Sequence, residues 1–168
     1  VRELEGVSVD GRSVTIGARA TLGEVERAVA DVVADLSSLL RVFASPQIKN
    51  AGTLVGNVAN GSPIGDTIPS LFALGAELEL SSIRGARWVA IDQYYTGYKQ
   101  TLLAADELVT RVRFTAPDPA ESVFRAYKIC QRRDLDISFV GAAFCLTHRD
   151  GAITAARVAY GGVGPTVL

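Results

Sequence analysis

Ala51-Gly52-Thr53-Leu54-Val55-Gly56-Asn57-Val58-Ala59-Asn60-Gly61-Ser62-Pro63-Ile64-Gly65-Asp66 is the stretch on which the reading of this chain turns. It is too polar and too broken by glycine for a strand, and it reads as a long loop between two apolar segments. Its glycines, Asn57, Asn60, Thr53 and Ser62 offer backbone N–H groups and short side-chain donors with no bulk in the way. Such a segment lets backbone approach an extended polar ligand, and a diphosphate is the commonest ligand of that kind. The competing reading is a plain connection whose glycines serve turn geometry. Two features favour a ligand. The stretch runs into a helix whose N-terminal partial charge is positive, and loops of this length are usually functional.

Working outward, Asp66 sits where an N-cap would. Ile68, Leu71, Phe72, Leu74 and Ala76 form an apolar helix behind it, with Pro69 tolerated in the first turn. Upstream, Val7 to Gly17 alternates around Asp10-Gly11 and predicts a hairpin. Thr21 and Glu24 form a capping box for a helix predicted through about Asp35, and a second short helix is expected from Ser38 to Ala44. Downstream, strands are expected at Glu77 to Ser81 and Arg87 to Ile91. A helical turn capped by Asp92 follows, reaching Tyr98. Further strands are expected at Glu107 to Ala116, Val123 to Gln131, Val140 to His148 and Ala152 to Tyr160, the last two joined at Asp150-Gly151. Strands, then helices, then a run of antiparallel strands predict α+β. No strand leads into GxGxxG and a helix, so the Rossmann fingerprint is absent.

The chain has 168 residues, 48% hydrophobic and 21% charged, which is a globular composition. A net charge of −1 provides no overall attraction for nucleic acid or an acidic membrane. No apolar run reaches membrane-spanning length, and no signal peptide opens the chain. Two widely spaced cysteines, Cys130 and Cys145, make no disulfide scaffold and point to a reducing cytoplasm; both read as small buried hydrophobes. A single histidine, with no CxxC pair, argues against a zinc or iron–sulfur site in this chain. The absence of Met and the abrupt ends at Val1 and Leu168 read as those of a piece of a longer polypeptide.

Other residues carry weaker signals. Lys128 shares a strand face with Ala126 and could hold an anionic oxygen or an electron-rich ring edge. Arg125 reads as solvated. Arg132-Arg133-Asp134-Leu135-Asp136 is a charged tip that is either solvated or turned toward a second substrate. Phe43, just before the glycine-rich stretch, could pack on a ligand, whereas Trp88 is assigned to the core. His148 beside Asp150 has no nucleophile in view, so no triad is supported.

Phe43 to Asp66 closely resembles the FAD-binding domain of xanthine dehydrogenases and related molybdenum hydroxylases. Phe124-Arg125-Ala126-Tyr127-Lys128, then Arg132 to Ser138, and Ala159 to Pro165 extend the resemblance in the same order. It covers the chain from about Val7 onward, and Ser62-Pro63-Ile64-Gly65-Asp66 looks more like the xanthine dehydrogenase branch than the carbon monoxide dehydrogenase branch.

The resemblance implies an FAD-binding domain of the PCMH/vanillyl-alcohol oxidase type, mostly its second lobe, an antiparallel sheet flanked by helices. Residues 1–116 would be the FAD-binding domain and 117–168 the start of the C-terminal flavoprotein lobe. Phe43 would lie near the adenine portion. Thr53, Leu54, Val55, Gly56 and Asn57 would lie against the cofactor, with Thr53, Gly56 and Asn57 bonding the diphosphate region and Asn60 and Ser62 on the same loop. Asp66 would bond the ribityl or adenosine side, Leu108 and Val109 would add backbone and apolar contact, and Lys128 would approach the isoalloxazine edge. Leu135 replaces an acidic residue that some relatives carry near the ring, and the family's upstream Gly-Gly flavin loop would precede Val1.

The implied function is electron transfer. A molybdopterin centre in a partner domain or subunit would hydroxylate hypoxanthine or xanthine, and [2Fe-2S] clusters would pass the electrons to FAD and on to NAD+. No catalytic residue and no metal site is expected here. This stretch alone would bind FAD weakly or not at all. The alternatives are the FAD subunit of another molybdenum hydroxylase, of the carbon monoxide dehydrogenase or aromatic acyl-CoA reductase type, and a scaffold that has lost FAD.

Overall fold

The Asp10-Gly11 turn closes a hairpin of β1 (Val7–Asp10) and β2 (Ser13–Gly17), with Val9 opposite Val14. The computed structural model describes residues 4–133 and 135–168. β2 pairs with β7 (Leu108–Thr115), β7 with β3 (Glu77–Ser82), and β3 with β4 (Gly85–Ala90). The result is a five-stranded antiparallel sheet of order β1-β2-β7-β3-β4. Val14, Ile16, Leu78, Leu80, Val112 and Phe114 are buried in one core cluster, the alternation that a half-buried strand needs. The α+β class and its antiparallel sheets are as expected.

The helices differ from expectation in their bounds. α1 (Leu22–Ala28) has the predicted capping box, with Glu24 N–H donating to Thr21 Oγ1 at 3.2 Å and Thr21 N–H to Glu24 at 2.8 Å. It stops well before Asp35. Val29, Val32 and Val33 are β-branched and weak helix formers, and they form a turn with Val29 and Val33 still buried. α2 (Ala34–Arg41) and α3 (Pro46–Lys49) follow, the latter capped by Ser45 Oγ accepting from Ile48 N–H at 3.3 Å. After β4, α6 (Ile91–Tyr94) ends early and β5 (Tyr95–Gly97) and β6 (Gln100–Thr101) form a small ribbon. Asp92 lies inside α6 and caps nothing; Ala90 occupies the cap position.

The second sheet comprises β8 (Ser122–Ile129), β9 (Val140–Arg149) and β10 (Ala152–Gly161), in the order β10-β9-β8. Its β9–β10 hairpin turns at Asp150-Gly151, both in left-handed backbone. α4 (Leu54–Ala59) lies on β2 and β7 of the first sheet, and α5 (Ile68–Ala73) lies on β9 and β10 of the second. The approach of α5 needs Gly161. A Cβ there would come within 3.0 Å of Pro69 Cγ and 3.1 Å of the Pro63 carbonyl. Residues 60–67, linking α4 to α5, therefore run along the seam between the two sheets.

Two assignments change. Trp88 is half-buried on edge strand β4, not in the core, and the Arg113 guanidinium lies 3.9 Å from its ring centroid. Cys145 is buried, but Cys130 is only partly so, and its thiol donates to the Arg132 carbonyl at 2.8 Å.

Candidate cofactor site

While residues 60–66 of the glycine-rich stretch are a loop as expected, Leu54–Ala59 form the helix α4. Thr53 caps it, its Oγ1 accepting from Gly56 N–H at 2.9 Å and its carbonyl from Asn57 N–H at 3.1 Å. Leu54, Val55 and Val58 point into the core. The missed signal is a threonine followed by apolar residues at helical spacing, hidden by the glycines and asparagines around it. Gly56 serves that cap, since a Cβ there would sit 2.8 Å from Thr53 Oγ1. Gly61, at φ 61°, ends the helix in backbone that favours glycine. Gly56 and Asn57 amides are thus bonded within the chain. Of the amides expected to face a diphosphate, these two are engaged in the helix instead.

Beside α4 lies an open cavity of about 520 Å³ at the seam of the two sheets. Phe43, Ile48 and Ile64 wall it from the α2–α5 side, and Leu135 and Ile137 from the connection between β8 and β9. Asn57, Asn60, Ser62, Asp66, Lys128, Arg132, Asp136 and Ser138 supply its polar lining. Asn57 Oδ1 accepts from Thr67 Oγ1 at 2.6 Å and from Thr67 N–H at 3.4 Å. An N–H can only donate, so the oxygen faces Thr67 and the Asn57 NH2 group is left for the cavity.

Asp66 is not a helix cap. Thr67 takes the cap position of α5 without a side-chain bond, and Asp66 turns to the second sheet. Its Oδ2 accepts from Lys128 Nζ at 2.5 Å and its Oδ1 from Ser138 Oγ. The Lys128 and Asp66 side chains are only 5% and 9% exposed. The Lys128 ammonium also stands 5.8 Å from the centroid of Phe43. Buried, it has one protein acceptor for three donors among the described residues, whereas buried polar groups are normally satisfied.

The tip after β8 borders the cavity, while Arg132, Leu135 and Ile137 remain largely exposed to solvent. Asp136 accepts from Arg132 N–H at 2.8 Å and from Ile137 N–H at 3.0 Å. The Arg132 N–H foremost, aided by Ile137 N–H, holds the Asp136 carboxyl below the ordinary aspartate range. Phe139 N–H bonds the Ile129 carbonyl at 2.9 Å and closes the connection. Asp134 lies outside the described residues. Arg125 is solvated as expected, 3.3 Å from Asp35.

Six of the expected site residues, Phe43, Asn57, Asn60, Ser62, Asp66 and Lys128, meet at the cavity. Thr53, Leu54, Val55 and Gly56 do not line it: Thr53 caps α4, Leu54 and Val55 are buried on its inner face, and Gly56 is exposed. Leu108 and Val109 begin β7, away from the cavity; Leu108 is exposed and Val109 buried. Ile48, Ile64, Arg132, Asp136, Ile137 and Ser138 line the cavity without having been singled out as contacts. Their signal is the chain's return across the seam after Ile129, which strand patterning alone does not show. Among the described residues no helix is long and apolar enough to cross a membrane, and no cluster could hold a metal ion.

Residues 1–117 match the family described as FAD binding domain in molybdopterin dehydrogenase, and residues 125–168 the CO dehydrogenase flavoprotein C-terminal domain. The chain is 34% identical to xanthine dehydrogenase/oxidase of Gallus gallus, covering all of this chain and 13% of that protein. It is 32% identical to the nicotinate dehydrogenase FAD-subunit of Eubacterium barkeri, covering 98% of this chain and 57% of that one. It is 35% identical to the carbon monoxide dehydrogenase medium chain of Afipia carboxidovorans, covering 100% and 58%. Among solved structures, carbon monoxide dehydrogenase from Hydrogenophaga pseudoflava superposes with a TM-score of 0.92 at 28% identity, over 100% of this chain and 58% of that one. Quinoline 2-oxidoreductase from Pseudomonas putida 86 gives 0.88 at 28%, over 99% and 58%. The chain thus spans less than two thirds of each of these proteins. With a family match over most of its length and a cavity of this make-up at its seam, the chain belongs to the FAD-binding domains of the molybdopterin dehydrogenases.

Proposed function

We propose that this chain holds FAD against the seam cavity, within a complete enzyme that oxidises hypoxanthine or xanthine and delivers the electrons to NAD+. The observation that carries the reading is Lys128, a buried ammonium with open donors beside an aromatic ring and an apolar wall. A flat heterocycle with electron-rich carbonyl edges suits that arrangement, and the isoalloxazine of FAD is such a group. Bound there, FAD supplies electron and hydride transfer.

The chain's residues bind, orient and set the field. Phe43 and Ile48 exclude water from one side of the cavity. Lys128 presents positive charge to an oxygen, and Asp66 holds it in place. Asn57 NH2, Asn60 and Ser62 donate to polar parts of the cofactor. Thr53, Leu54, Val55 and Gly56 fix α4 so that Asn57 and Asn60 face the cavity. Leu108 and Val109 are assigned to a part of the cofactor that reaches past it. No residue acts as an acid or base.

Residues 1–116 are read as the FAD-binding domain and 117–168 as the start of the C-terminal flavoprotein lobe, which the two family matches support. The proposed partners are an iron–sulfur domain and a molybdopterin subunit. Two free cysteines support a cytoplasmic location. A second reading, with carbon monoxide as the reductant, is favoured by the Afipia relative at 35% identity. Adding hypoxanthine anaerobically to the complete enzyme should bleach its flavin absorbance, and NAD+ should restore it. Bleaching by carbon monoxide alone would favour the second reading. A folded, colourless complete enzyme would contradict both.

A further inference from the structure

We propose that Ser138 is a positioning residue: through its hydroxyl it fixes the Asp66 carboxylate so that Lys128 keeps its free donors turned to the cavity. This deepens the FAD reading and rests on it. Ser138 is 4% exposed and lies in the connection between β8 and β9, whereas Asp66 comes from the link between α4 and α5. The two Asp66 oxygens are divided between two donors: Ser138 Oγ holds Oδ1, and Lys128 Nζ, 2.5 Å away, holds Oδ2.

Ser138 is itself held in place. Asp136 pins the turn before it through the backbone of Arg132 and Ile137, and Phe139 N–H ties the turn's far end to β8. The hydroxyl therefore meets the carboxylate at a set point across the seam.

Without that hydroxyl, Oδ1 loses its partner. The carboxylate can then turn both oxygens onto the ammonium, drawing its donors and its positive field away from the cavity. Of the other charged groups lining the cavity, Asp136 is a carboxylate that only accepts, and Arg132 lies 3.7 Å from Asp136, so neither replaces the lost donor. A bound ring gains negative charge on reduction, so its reduced form loses more affinity than its oxidised form. A tenfold fall in the reduced-to-oxidised affinity ratio corresponds to about 30 mV for two electrons.

The test is the flavin midpoint potential of the complete enzyme carrying S138A, measured with flavin content and thermal midpoint. The expected result is a flavin-loaded, folded enzyme whose potential falls by about 30 mV, with S138T, which keeps a hydroxyl, near wild type. An unchanged potential in flavin-loaded S138A overturns the proposal, as does an S138T potential that falls as far as that of S138A. Should S138A fail to fold, S138C takes its place, since a thiol is a weak donor; the same fall supports the proposal and no change overturns it. A wild-type complete enzyme without flavin overturns this inference together with the reading beneath it, whereas an unchanged potential overturns this inference alone.

Discussion

Lys49 and Lys128 both set an ammonium against a carboxylate, Lys49 at 2.6 Å from Glu26 and Lys128 at 2.5 Å from Asp66. Their second partners differ. Lys49 also donates to the Leu40 carbonyl at 3.1 Å, and so ties α1, α2 and α3 together. Lys128 has no second protein acceptor among the described residues; a phenylalanine ring and a cavity lie beside it instead. The first lysine spends its hydrogen bonds on the fold, and the second keeps some of them for a ligand. A buried charge becomes a site when its surroundings stop short of satisfying it.

The largest expected effect lies at the structural lysine. K49M leaves Glu26 without its counter-charge and should lower unfolding free energy by about 2–3 kcal/mol, less than a fully buried pair would cost because Glu26 is partly exposed. The flavin affinity of the complete enzyme should not change, and chemical denaturation beside flavin titration reads both. K128M should weaken flavin binding about 30-fold, or about 2 kcal/mol, and also lower stability, because it strands Asp66, which is more deeply buried than Glu26. Equal effects of the two variants on flavin would break the distinction.

T53A tests whether Thr53 is a cap or a ligand. Loss of the cap should cost about 1 kcal/mol of stability, with flavin affinity unaltered by direct titration. A loss of affinity exceeding the loss of stability would restore Thr53 as a diphosphate contact.

The smallest effect is a control far from the cavity. The Arg87 guanidinium, followed by Ala104 N–H, lowers the Glu107 carboxyl to about 2. Because its folded value lies below its unfolded one, the pair's contribution is present above pH about 4.5 and is lost as pH falls toward about 2. Denaturation across that window should show the stability gap between wild type and E107Q closing as pH falls. The gap should be level between pH 5 and 8.

What could be read without coordinates was local. The Asp10-Gly11 and Asp150-Gly151 hairpins and the Thr21–Glu24 box each announce themselves within a few residues, and the strands after Glu77 follow a period of two. α4 escaped because glycine and asparagine lower its intrinsic propensity, while burial of Leu54, Val55 and Val58 stabilises it regardless. The valines from 29 to 33 kept helical spacing but not helical backbone. Local position and the resemblance each brought Asp66 and Lys128 forward singly. Their pairing, across 62 residues, and the meeting of Asp66 with Ser138, across 72, follow from the link between α4 and α5 crossing the seam. No short-range pattern reports that crossing.

The most direct measurement of the central claim is a structure of the complete, flavin-loaded enzyme. The account predicts the isoalloxazine at the seam cavity, touching Phe43 and accepting a hydrogen bond from Lys128. A cofactor bound on another face, with Lys128 bonded to Asp66 alone and Phe43 uncovered, would contradict it.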